Sequence, residues 1–278
     1  MKHPLRIATI NLCDENPMSK TALIKKWITE LLKMRVDILF IQEIYKYNIE
    51  KMAADLGMKL LIVNHFEGIC VLINPSKLVI IDNNHVKLHS GIKPIYIGGI
   101  HLDDIPSLPH HMNNMIYKSS EIIPLSLTMS QLLKLCAKRR LPRLHEELKS
   151  IKNADRAIIA GDFNEPSHLD LDNIRTPCSN ELAKNGFIDT YRHMHRLDGN
   201  LSEPLRSVAK GERGNPVALA KEFEPGYTWP AGQFYKNEPE QRIDFIYTKN
   251  VEIVSSDIYG EGSNWFSDHK MVITDILV

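Results

Sequence analysis

The sequence has no surplus of either charge: 34 basic residues stand against 34 acidic ones in 278, and the formal net charge is zero. A dedicated nucleic-acid binder usually shows a strong basic excess, so the simplest electrostatic route to that class is closed, although local basic patches are still allowed. No apolar run approaches the ~20 residues that a bilayer-spanning helix requires. The N-terminus, MKHPLRIATINL, passes from one lysine and a proline straight into a strand-like pattern. No secretory leader is expected there, and a cytoplasmic location is the reading. Cysteine is scarce and scattered: Cys13, Cys70, Cys136 and Cys178 lack CxxC spacing, which argues against a zinc knuckle or a disulfide framework. There is no repeat of fixed period and no low-complexity tract.

What is present is 43% hydrophobic residues, much of it in short runs rich in Ile and Val. LRIATINL, VDILFIQ, GICVLIN, LVII, IYIGGIH, RAIIAG, RIDFIYT, VEIVSSDI and KMVITDIL read as strands. Between the first two, Leu23, Trp27 and Leu31 repeat at i+4 beside Ile24, Ile28 and Leu32, which predicts an amphipathic helix with Ser19 as its N-cap. A second helix is expected from about Thr128 to Lys152, interrupted or restarted at Pro142, with shorter ones near Ile49–Leu56 and Ser179–Lys184. Strands at both ends with helices between them predict sheets packed on each other and covered by helices. The whole chain, 1–278, is expected to form one domain. Its long connections are Leu102–Ser126 and Asp198–Gly226, lengths typical of binding loops or lids.

Polar residues stand where the apolar runs end, the position at which sheet proteins commonly carry their sites. Asn11 closes RIATINL, and period 2 sets it with Thr9 on one side, Ile10 and Leu12 on the other. Glu43 follows VDILFIQ directly; a carboxylate leaving a buried strand needs a cation or donors, so a metal ion and a salt bridge are both open. His101 ends IYIGGIH. In RAIIAGDFNEPSH, Gly161 frees the backbone and Asp162 and Asn164 project from the turn, where they could orient water or donate to a developing anion, or simply form an Asx turn. Asp244 interrupts RIDFIYT and must find a partner. Asp268 and His269 precede the last strand and face opposite ways, so Asp268 can bind a metal while His269 turns toward Asp244. A carboxylate on one imidazole nitrogen fixes the tautomer and favours the imidazolium.

TINL, IQEI, GIHL, GDFN, RIDFIY and SDH, in that order and spread over almost the whole chain, resemble the endonuclease/exonuclease/phosphatase superfamily. The resemblance implies a four-layered α/β sandwich, two packed and mostly antiparallel sheets flanked by helices, with metal-dependent phosphoester hydrolysis at one edge. It makes Glu43 the principal metal ligand, with Asn11 and Asp268 near the same ion or its waters. Asp162 would orient the attacking water and Asn164 would donate to phosphoryl oxygens. Asp244 and His269 would form a charged dyad, and His101 would contact the phosphate or help protonate the leaving oxygen. In deoxyribonuclease-like members an acid on an earlier strand supports that histidine, and Glu67 stands at the matching place. Abasic-site endonucleases carry a Tyr in the segment after it, a pattern that HLDDIPSLPHH does not show.

Oxygen and imidazole donors without thiolates favour Mg²⁺, with Mn²⁺ as the alternative, over zinc. The expected activity is that of a phosphodiesterase acting on a small or end-positioned phosphodiester. A DNA or RNA nuclease is the alternative that net charge disfavours, and an effector that keeps the fold for partner binding is the alternative from another class. Lys134, Lys138, Arg139, Arg140 and Arg143 cluster in one run and read as a solvated helix face. Tyr227 could stack on a ring and Trp229 reads as core; Asp103, Asp104, His110 and His111 could form a second ion site or a substrate rim, and polar side chains facing solvent are the simpler account.

Overall fold

The computed structural model describes residues 3–13, 20–44, 48–91, 93–117, 121–152, 154–171, 173–195, 225–231, 237–260 and 265–278. Two mixed six-stranded sheets pack face to face. The first contains β1 (Pro4–Asn11), β2 (Ile38–Gln42), β3 (Lys59–Asn64), β4 (Ile69–Ile73), β11 (Glu252–Tyr259) and β12 (Met271–Leu277), in the order β11-β12-β1-β2-β4-β3. The second contains β5 (Leu78–Ile80), β6 (His85–Leu88), β7 (Ile95–His101), β8 (Ala157–Asp162), β9 (Ile188–Asp189) and β10 (Asp244–Lys249), in the order β5-β6-β7-β8-β10-β9.

Each sheet contains one parallel pair, β1 with β2 and β7 with β8, and its other pairings are antiparallel. A parallel pair cannot be closed by a tight turn. The crossovers here run through α1 (Lys20–Met34) in the first sheet, and through α3 (Leu108–Met112) and α4 (Met129–Ile151) in the second. The remaining helices among the described residues are α2 (Ile49–Asp55), α5 (Pro177–Lys184) and α6 (Thr190–Met194).

Strand periodicity divides the core into three layers. Leu5, Ile7, Ile38, Phe40, Ile97, Ile158, Ala160 and Ile246 meet between the sheets. Their neighbours of opposite parity face the helices: Ile10, Leu12, Leu39 and Ile41 pack with Trp27, Leu31 and Met52, while Ile100, Ile159, Phe245 and Tyr247 pack with Leu144, Ile151 and Leu182. Burying such a side chain stabilises by roughly 1.5–3 kcal/mol, so these layers dominate the folding energy.

α4 begins on the expected cap: Thr128 and Gln131 form a reciprocal capping box. The helix then continues through Pro142 rather than restarting there. Pro142 and Lys138, whose carbonyl loses its usual donor, both lie on the exposed face, where solvent substitutes for the missing N–H. In α1, Trp27 and Leu31 are buried as the spacing predicts, but Leu32 is 51% exposed. The Ser19 cap lies outside the described residues, as does the Asp198–Gly226 connection apart from Pro225 and Gly226. The other long connection, Leu102–Ser126, carries α3.

Candidate active site

The register of the two parallel pairs brings the strand-end polar residues to one edge. Asn11 pairs with Gln42, immediately before Glu43, and His101 pairs with Asp162. β10 runs antiparallel to β8, so its first residue, Asp244, lies opposite Asp162. β12 runs antiparallel to β1 and is preceded by Asp268 and His269. Asn11, His101, Asp162 and Asp244 share the parity of the inter-sheet residues on their strands, so they line the open end of the inter-sheet layer. All eight candidates therefore gather at this edge.

The local backbone explains two of these placements. Gly161 has φ 147°, and a Cβ there would lie 1.8 Å from the Ile100 carbonyl oxygen, so only glycine lets β8 run against β7 before Asp162. Glu43 has φ 54°, which turns the chain out of β2 as the strand ends.

Asn11 Nδ2 donates to Glu43 Oε1 at 2.8 Å and to Asp162 Oδ2 at 3.0 Å, tying the two carboxylates together. Asp162 Oδ1 accepts the Asn164 backbone N–H at 2.8 Å, and Asn164 Nδ2 donates to the Leu102 carbonyl at 2.9 Å. His269 Nδ1 sits 2.9 Å from Asp244 Oδ2, and its Nε2 is 3.9 Å from Asp162 Oδ2. His101 Nδ1 donates to the Glu67 carbonyl at 2.9 Å, and its Nε2 lies 3.7 Å from Glu43 Oε1. Asp268 Oδ2 accepts Trp229 Nε1–H at 3.2 Å. Asn11, Asp162, Asp244, Asp268 and His269 are buried, while Glu43, His101 and Asn164 open toward solvent.

The electrostatics follow from that burial. Desolvation, with the Asp244 charge behind it, pushes the Asp162 carboxyl up to about 6, against smaller opposing effects of His269, His101 and Asn11. For His269, burial alone would depress the imidazolium. The charges of Asp244, Asp268 and Asp162 outweigh it and raise the pKa well above 6.5, favouring the imidazolium form.

A divalent cation fits this donor set. Ligand atoms of Glu43, His101 and Asp162 lie within 4.8 Å of one another, as do those of Asp162, Asp244 and His269. Among the described residues, Asp244 Oδ1 and Asp268 Oδ1 are buried without a hydrogen-bond partner. An acceptor buried in that state is costly unless a cation or proton meets it. The donors are oxygen and imidazole, which suits a hard ion.

A sequence model of the Endonuclease/Exonuclease/phosphatase family matches residues 8–269. The chain belongs to this family. Members of the endonuclease/exonuclease/phosphatase family are phosphoester hydrolases that typically use a divalent metal. An uncharacterized Caenorhabditis elegans protein is 25% identical over 272 residues, covering 88% of this chain and 78% of the relative. Among solved structures, a family protein from Bacteroides thetaiotaomicron superposes with TM-score 0.62 at 13% identity, covering 100% of this chain and 98% of that one. TDP2 from D. rerio, complexed with a single-strand DNA product, gives 0.60 at 14%, covering 98% of each chain. The human Nocturnin catalytic domain with bound sulfate gives 0.60 at 14%, covering 98% of this chain and 94% of that one. At these identities the structural likenesses speak to the family's fold alone.

Several residues packed around this sheet edge were not singled out by the sequence as its neighbours. Trp229 is buried as expected, yet it also donates to Asp268. Thr228 Oγ1 accepts the backbone N–H groups of Ile243 and Asp244, fixing the start of β10. Ser267 donates to the Asn11 carbonyl at 2.6 Å and accepts the His269 N–H at 3.0 Å. Tyr117 is a tyrosine in the segment after His101. Its hydroxyl pKa is raised by burial and by Asp104, with Asp162 and Glu43 adding to the effect, which places it within electrostatic reach of the site. The Glu67 carboxylate does not support His101; it pairs with Arg143, and the Glu67 backbone carbonyl takes its place. The expected solvated basic face is also only partly so, since Arg140 is fully buried and donates to the Asp103 and Pro106 carbonyls.

Proposed function

We propose that the chain is a Mg²⁺- or Mn²⁺-dependent phosphodiesterase that cleaves a small or end-positioned phosphodiester by attack of water. The observation that carries this reading is the position of Asp162. It is tied through Asn11 to Glu43 on one side, and on the other it faces His269, itself paired with Asp244. Glu43 leads the proposed metal-holding set, Asp268 contributes its unpartnered oxygen, and Asn11 holds the carboxylates together. Such an ion, when bound, supplies Lewis-acid stabilisation of the phosphoryl charge and eases ionisation of water.

The rest of the chemistry belongs to the chain. Asp162, with its carboxyl near 6, is suited to accept the proton of the attacking water at neutral pH. His269, favoured as the imidazolium and backed by Asp244, offsets negative charge developing on the phosphoryl oxygens. An amide nitrogen carries two N–H donors. One on Asn164 goes to Leu102, and the other is assigned to a phosphoryl oxygen. His101, protonated at Nδ1 toward Glu67, presents Nε2 to the leaving-group side.

Nuclease action on DNA or RNA is the second reading. Phe66, 95% exposed, stands beside Glu67, whose carbonyl holds His101, and an exposed aromatic there offers a stacking surface for a base. A substrate panel assayed at two salt concentrations separates the two. A small bis-aryl phosphodiester should be hydrolysed with little salt dependence. Preference for long duplex DNA, with a log–log salt slope near −4 to −5 for about five phosphate contacts, would overturn the proposal.

A further inference from the structure

We propose that Arg143 is a positioning residue for His101: it locks the β3–β4 turn against β7 so that the Glu67 backbone carbonyl, not a carboxylate, fixes the imidazole tautomer. His101 ends β7, and its Nδ1 lies 2.9 Å from the Glu67 carbonyl oxygen. A carbonyl only accepts, so Nδ1 carries the proton and Nε2 is left for the reaction. The orientation of that carbonyl depends on the turn between β3 and β4; Asn64 Oδ1 caps the turn from within by accepting the Phe66 and Glu67 N–H groups, each at 3.1 Å, and Arg143 holds the Glu67 side chain from outside the sheet.

Both Glu67 carboxylate oxygens accept from Arg143 Nε, at 2.8 and 3.1 Å. The same guanidinium donates through NH1 to Glu147 Oε2 at 2.8 Å and through NH2 to the Gly99 carbonyl at 3.2 Å. Gly99 is two residues before His101 on β7. One planar fork from α4 therefore grips both the strand that carries the histidine and the turn that orients it.

The anchor behind the fork is specific. Glu147 lies one helical turn from Arg143, is 8% exposed at its side chain, and accepts the Tyr96 hydroxyl at 2.7 Å. A Cβ at Gly98 would lie 2.4 Å from Glu147 Oε1, so the bare glycine is what admits this carboxylate against β7. Lysine cannot reproduce the arrangement, because an ammonium is a point charge without the rigid multi-point geometry.

The kinetic arm of the test rests on the phosphodiesterase reading, whereas the spectroscopic arm reads His101 alone. Nitrogen-15 spectra of imidazole-labelled, metal-free protein, assigned with His101→Gln, should show His101 as a single Nδ1–H tautomer. Arg143→Ala and Glu67→Ala should each give a mixture of tautomers. In hydrolysis, each should lower kcat roughly tenfold with KM within about twofold, and the double variant should be no worse than the poorer single one. Arg143→Lys should restore only part of the loss. Glu67→Ala guards against misfolding, because the Arg143–Glu147 pair stays intact. An unchanged tautomer in Glu67→Ala, or additive losses in the double variant, would overturn the proposal. A wild-type protein that shows the single tautomer but hydrolyses no phosphodiester would instead count against the function and leave the positioning intact.

Discussion

Asp162→Asn should remove activity and, in the metal-free protein, increase stability. The Asp162 carboxyl is 1% exposed and pushed from 3.8 up to about 6 by burial and by the Asp244 charge. At 1.36 kcal/mol per pH unit, ionising it withholds about 3 kcal/mol from the folded state at neutral pH. The sign follows from the raised value: its stabilising share is fully present below about pH 4, declines as pH rises, and is lost above about 6. Asparagine avoids the charge but turns an N–H toward the Asn11 amide, which now donates to Asp162 Oδ2. Losing that hydrogen bond costs about 1 kcal/mol, leaving a net gain of roughly 1–2 kcal/mol. For a chain of this size that is a rise of about 2–8 °C in Tm. Urea and thermal unfolding in chelator at pH 7 and pH 4 measure it, and the advantage of the variant should vanish at the lower pH. A variant less stable than wild type at pH 7 in chelator would refute the view that Asp162 is a strained, functionally retained charge.

Three other perturbations address separate parts of the structure. His269→Ala should lower kcat by ~10²-fold or more with a smaller change in KM, and loss of affinity at unchanged turnover would assign it to binding instead. Asp189→Asn should destabilise by about 3 kcal/mol, because Arg242 is buried and donates to Asp189 at 3.0 and 2.7 Å. Burial alone would raise the Asp189 carboxyl, but Arg242 and Arg192 hold it below 3.8. Its stabilisation is therefore present above about pH 4 and lost on further acidification, so the gap to wild type in unfolding experiments should close at low pH. Gly161→Ala should yield no soluble folded protein or lose at least about 4 kcal/mol, given the collision with the Ile100 carbonyl; near-normal stability would show that β8 can move away from β7.

The strand ends were legible because a polar residue stands directly after the apolar run of β1, β2, β7 and β8 and at or just before the start of β10 and β12, and strand parity then sends Asn11, Asp162 and Asp244 toward the inter-sheet layer. β3 and β6 were not read as strands. β3 is an edge strand of mostly half-buried residues, and β6 has only four, so neither carries a strong periodic signal. Arg140 was read as solvated from its basic neighbours, although it follows Leu132 and Cys136 and precedes Leu144 at i+4 steps along the buried stripe of α4. That spacing was the available signal. The diversion of the Glu67 carboxylate to Arg143 had none, because the choice between a side-chain and a backbone acceptor for His101 is made by a helix far away in sequence.

Metal dependence tests the assignment of this sheet edge as a phosphodiesterase site most directly. Protein stripped with chelator should not hydrolyse a bis-aryl phosphodiester, and activity should return on titration with Mg²⁺ or Mn²⁺. Glu43→Gln, unchanged in melting when metal-free, should need ~10-fold more metal or stay inactive. Full activity in the chelated wild type, or an unshifted metal titration in Glu43→Gln, would contradict the assignment.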